Sequence, residues 1–103
     1  MDKTSDVKSV ISIIENMIIN LRQCTDEAWD RINANIGMVI SMMTEIVNWA
    51  QSLIENGEEF PMNTIIQQIQ NLNDAYTAKD EILLADTLEY EIVNIVYVYM
   101  ENR

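Results

Sequence analysis

From Trp29 to Leu53 the apolar residues return at alternating steps of three and four: Trp29, Ile32, Ile36, Val39, Met43, Ile46, Ala50 and Leu53. A helix of about 3.6 residues per turn carries all of them to one side. A heptad seam this long requires another helix to cover it. The opposite side, Asp30, Ala34, Ser41, Glu45, Asn48 and Ser52, is small or polar. Punctuation is scarce, with two glycines (Gly37, Gly57) and one proline (Pro61) in 103 residues. A β-rich fold needs more turn residues than that. The chain reads as all-α.

The remaining segments agree. Thr4 or Ser5 is placed to cap a first helix. Val7, Val10, Ile11, Ile14, Met17, Ile18 and Leu21 form its apolar stripe, widened by Ile13 and Ile19. Thr25, followed by Asp26 and Glu27, predicts the cap and acidic first turn of the seam helix. Asn56-Gly57 marks its end, and Pro61 suits the first turn of the next helix. A third stripe runs through Met62, Ile65, Ile66, Ile69, Leu72 and Tyr76. Asp80 is the expected cap of a fourth helix. These signals predict a single antiparallel four-helix bundle domain over residues 1–103, with helices at about 5–23, 26–56, 62–78 and 81–101. One alternative stays open. The first stripe continues in phase through Cys24, Ala28 and Ile32, which would fuse two helices into a rod of roughly 78 Å and leave three.

The charge narrows the function classes. Formal net charge is −11, and residues 32–102 hold eleven acids against the single base Lys79. Such a surface repels nucleic-acid phosphates and anionic lipid, and attracts basic proteins. No histidine is present and cysteine occurs once, at Cys24. Cys/His zinc sites, Ser-His-Asp and Cys-His catalysis and di-iron carboxylate bundles therefore lack their ligands or bases. No glycine-rich phosphate loop or EF-hand pattern occurs. A lone Cys24 is expected to be a buried or half-buried thiol. It also excludes an intrachain disulfide, in keeping with a reducing compartment. No secretory leader or run of about 18 apolar residues is apparent. The expectation is a cytoplasmic non-enzyme without catalytic residues, cofactor or metal.

The stretch KDEILLADTLEYEI, residues 79–92, carries five carboxylates. On a uniform helix Leu84, Leu88, Ile92, Ile95, Val96 and Tyr99 face the core, with Ala85 beside them. Asp80 and Glu81 fall at the helix start, where carboxylates oppose the dipole. Asp86 points away from the core, and Glu89 and Glu91 point to different flanks. No acid–base pair converges within this helix. Behind the acids, Leu83, Tyr90 and Tyr97 line up at seven-residue spacing with Val93 adjacent. That strip is either the contact of a central helix with several neighbours or a partner-binding face. A second candidate face on the seam helix is Met38, Met42 and Trp49, since methionine suits surfaces that bind varied targets.

Lys79-Asp80, Leu84-Ala85-Asp86 and Leu88-Glu89-Tyr90-Glu91 together resemble a segment near the C-terminus of small, acidic, helical bacterial proteins of uncharacterised function. The resemblance covers about 15 residues, 78–92, and implies a helical domain with no activity to inherit. Size, acidity and helix number also look like bacterial flagellar or secretion chaperones, an analogy of fold alone. The predicted function is an adaptor- or chaperone-like interaction module. It binds a basic or amphipathic-helical protein, or a second copy of itself, through apolar helix faces, and binds neither nucleic acid nor membrane. The alternative is an acidic decoy that occupies the basic, nucleic-acid-binding groove of a target protein.

Overall fold

The computed structural model of the protein describes residues 3–23 and 26–102, with side chains from Val7 onward. Four helices account for nearly all of them. They are α1 (Lys3–Arg22), α2 (Ala28–Glu55), α3 (Met62–Ala78) and a fourth rod in three parts. That rod is α4 (Glu81–Thr87), a π-helical turn (Leu88–Ile92) and α5 (Val93–Asn102), without interruption. No strand occurs among the described residues.

α1 and α2 are separate helices that pack on each other, so the fused three-helix alternative does not hold. The physical reason is coverage. A single rod would leave the stripes of both halves in water, whereas folding back lets each bury the other. Helix α1 already contains Thr4 and Ser5, so its start lies ahead of both expected caps. Helix α2 begins at Ala28, about two residues later than the charge pattern implied. Thr25 and Cys24 lie outside the described residues, and with them the cap and thiol expectations.

The other boundaries follow the local chemistry. At the end of α2, Gly57 takes φ 90°, a left-handed conformation natural to glycine. Lys79 ends α3 with φ 54°, the one non-glycine residue with positive φ among the described residues. The Asp80 carboxylate then accepts from the Leu83 N–H at 3.0 Å and caps the fourth helix as expected.

Side-chain bonds give the helix directions. Arg22 reaches Asp86 and Glu15 reaches Tyr97, so α1 and the fourth helix are antiparallel. Trp29 meets Glu81 and Trp49 meets Tyr99, so α2 runs parallel to the fourth helix. The phenol of Tyr76 donates to Asn33, and α3 runs back along α2. The result is an up-down-up-down bundle of 46 × 30 × 18 Å. One apolar core, with Ile14, Leu21, Ile32, Met43, Ile65 and Leu88 fully buried, joins all four helices. Among the described residues no helix is long and apolar enough to cross a membrane.

The π turn departs from the sequence reading. Leu84, Leu88, Ile92 and Val96 follow one another at steps of four, and all are fully buried. Each such step overshoots one α-helical turn by about 40°, so Val96 would sit roughly 120° from Leu84 on a uniform helix. Instead the Val93 N–H donates to the Leu88 carbonyl, an i to i+5 closure. The wider turn absorbs one extra residue and returns the later ones to the core. Just ahead of it the buried Thr87 hydroxyl donates to the Leu83 carbonyl at 2.8 Å, so its polar group is satisfied within the helix.

One expectation is corrected by this turn. Val93, expected on the back strip, is 8% exposed, within the core. Ile95, expected on the core face, packs against the core from its edge and is half-buried. The alignment of Leu83, Tyr90 and Tyr97 breaks for the same reason. Two heptads drift by about 40° in total, and the extra residue adds about 100°, so Leu83 and Tyr97 end on opposite flanks.

Candidate functional site

The outward seam between α1 and the fourth helix holds a shallow groove of about 260 Å³. Ile18 and Ile19 line it from α1, and Val93 and Tyr97 from α5. Glu15 and Glu89 complete the lining and are its charged members. Glu89, Val93 and Tyr97 are spaced by four, like the core residues beside them, so the same π turn aligns them along α1. Ile19 remains 52% exposed and Tyr97 39% exposed, with Tyr90 at 64% nearby.

Charges organise the upper part of this seam. The Arg22 guanidinium donates to Asp86 at 2.9 Å and also reaches Glu89 at 3.3 Å. Asp86 and Glu89, three residues apart on one face of their helix, thus converge on a base from another helix. The two carboxylates hold the Arg22 pKa above its ordinary value, chiefly through the Asp86 hydrogen bond. Glu91 turns the other way and accepts from Asn71 of α3 at 3.2 Å, so Glu89 and Glu91 do serve different flanks. Among the described residues no three acidic or thiol side chains gather in one cluster.

The Tyr97 hydroxyl donates to Glu15 Oε1 at 3.3 Å. The Glu15 charge raises the Tyr97 pKa, reinforced by desolvation and by that hydrogen bond. Glu89 raises the Tyr90 phenol by a side-chain hydrogen bond and by charge. A raised folded-state pKa stabilises the protonated fold. That contribution is present below the unfolded value of about 10 and is lost as pH rises through the folded value. Glu15→Gln is expected to bring the Tyr97 midpoint down toward that of an ordinary tyrosine in a phenolate titration at 295 nm. An unchanged Tyr97 midpoint in that variant would mean that Glu15 does not set it.

The predicted site residues are divided by the fold. Tyr97 lines the groove, Val93 forms its buried floor, Tyr90 lies outside the lining but against Glu89, and Leu83 is exposed on the other flank. The second predicted face does not form. Met42 is buried, and Met38 is exposed at 46%. Trp49 is half-buried and meets Phe60 at 5.3 Å and Tyr99 at 5.1 Å between ring centroids, both edge to face. These rings tie the end of α2 to the loop after it and to α5, so Trp49 is a structural anchor. Glu15, Ile18, Ile19, Arg22 and Glu89 were not among the predicted site residues. Ile19 carried the available signal, as an isoleucine at the edge of the α1 stripe.

A smaller apolar cleft of about 140 Å³ lies between α2 and α3, among Ile36, Ile40, Ile69, Leu72 and Tyr76. It has no charged lining residue, and Asn73 is its polar edge.

A family model described as a domain of unknown function, DUF8042, matches residues 6–100. The chain belongs to the DUF8042 family. The match takes in every residue of the α1/fourth-helix groove, so that seam is part of the family domain. The description assigns no activity, in keeping with a resemblance that had none to pass on. No curated protein and no solved structure matches the chain.

Proposed function

We propose that this DUF8042 chain is a non-enzymatic interaction module of the bacterial cytoplasm, adaptor- or chaperone-like, which holds a partner helix on the α1/fourth-helix seam. The observation that carries this reading is the groove at that seam, where exposed Ile19 and Tyr97 flank a floor of Ile18 and Val93 and Tyr90 lies against Glu89 at its edge. Tyrosines with apolar bodies and polar tips are favoured at protein interfaces. The acidic-decoy alternative is weakened by the placement of the acids. Glu89 and Glu91 serve opposite flanks, and Arg22 already engages Asp86 and Glu89, so this helix offers no phosphate-like row.

The test pairs Tyr90→Ala with Tyr97→Ala in one tagged chain, expressed in its native cell beside the wild type. The double variant is expected to melt like the wild type and to lose the protein that the wild type retains. An unfolded double variant would make the strip structural and remove the site. Retention of the same protein by a folded double variant would also remove it.

A further inference from the structure

We infer that the occupant of the α1/fourth-helix groove is a basic amphipathic helix of a partner protein. One of its aliphatic or aromatic side chains sits over Ile18 and Val93, and its flanking lysines or arginines meet Glu15 and Glu89. This rests on the interaction reading above and adds the chemistry of the partner.

Size argues for a single side-chain anchor. At about 260 Å³ the groove falls below the range of about 300–1,000 Å³ typical of small-molecule pockets. Its apolar lining comes from four side chains on two adjacent helices, a surface wide enough for one side chain of a third helix laid along the seam. Within the lining, Ile19 at 52% and Tyr97 at 39% exposure offer the accessible apolar surface around that anchor.

Charge argues for a basic partner over a second copy. Both charged lining residues are carboxylates. Glu15 has a neutral phenol on one oxygen, and Glu89 shares Arg22 with Asp86. A two-fold dimer centred on this seam would bring the Glu15 and Glu89 carboxylates of one copy toward those of the other, a like-charge contact that suppresses pairing. The net charge of −11 adds long-range attraction for a cationic segment. Arg22 shows the recognition within the chain, a guanidinium reaching across to Asp86 and Glu89 from a neighbouring helix.

The experiment titrates the nitrogen-15-labelled full chain with four synthetic 18-residue peptides. Three share one apolar stripe and differ in their flanks, which are Lys/Arg, Gln or Glu. The fourth is the Lys/Arg peptide with its stripe scrambled. The basic amphipathic peptide is expected to shift the amides around Ile18, Ile19, Val93 and Tyr97, and to bind at least about tenfold tighter than the others. Glu15→Gln with Glu89→Gln should remove that preference, while Glu45→Gln with Glu55→Gln on exposed positions of α2 should keep it. Equal binding by the scrambled basic peptide would overturn the inference in favour of diffuse attraction to an acidic protein. Equal binding of the Gln or Glu peptide at the same amides would overturn the partner class and leave the interaction reading standing. If no peptide moves the seam amides, both the inference and that reading fail.

Discussion

Deletion of Tyr90 is expected to leave the bundle folded, whereas deletion of Ser41 is expected to unfold it. The two deletions each remove one exposed residue from a long helix. They differ in what the helix does with the register. Leu84, Leu88, Ile92, Val96 and Tyr99 are buried at steps of four, four, four and three. Removing Tyr90 changes those steps to four, three, four and three, the heptad rhythm of an ordinary α-helix. The fourth helix is thus a heptad seam with one residue too many, and the π turn at Leu88–Ile92 takes up the surplus. The shortened chain should keep its helical circular dichroism and melt within about 5 °C of the wild type.

Helix α2 has no such surplus. Without Ser41, every later residue turns by about 100°, and Thr44, Val47, Gln51 and Ile54 inherit the seam in place of Met43, Ile46, Ala50 and Leu53. Losing a buried Met or Ile contact costs about 2–5 kcal/mol, and a buried polar group without a partner about 1–3 kcal/mol more. Together these approach or exceed the whole stability of a small domain, about 5–15 kcal/mol. Equal collapse of the two deletion variants would show that the π turn is not the home of a spare residue.

Trp49→Ala is expected to lower stability by about 3 kcal/mol in urea unfolding, at the lower end of the range for a large aromatic. Its ring is half-buried between Phe60 and Tyr99, and truncation leaves both without their edge-to-face partner. The same measurement on Met38→Ala should stay within about 0.5 kcal/mol, as for an isolated surface residue. A stable Trp49→Ala protein would return Trp49 to the set of candidate contact residues. The contrast matters because the two residues share one flank of α2 on a helical wheel, and only the return of Phe60 and Tyr99 to that helix separates them.

Other particulars divide in the same way. The α1 stripe from Val7 to Leu21 is buried as its spacing implied, and so is most of the α2 seam. Ile66 was counted in the α3 stripe and stands 51% exposed, because that helix packs chiefly through Ile65, Leu72 and Ala75. Of the six residues lining the groove, two were legible, Val93 and Tyr97. Its other wall, Glu15, Ile18 and Ile19, belongs to a helix more than sixty residues earlier in the chain, and nothing in the spacing joins the two.

The helical class, the end of α2 at Asn56-Gly57, the α2 seam and the Asp80 cap were settled by the sequence alone. Each depends on residues within a turn or two of one another, where periodicity and backbone hydrogen bonding act locally. The separation of α1 from α2 was decided by their packing. The π turn, the pairing of Arg22 with Asp86 and Glu89, and the groove between Glu15 and Glu89 were decided by tertiary structure. A run of apolar residues at steps of four is compatible with more than one winding. Burial against α1 and α3 selects the winding that keeps all of them in the core, and that selection sets which side chains face α1.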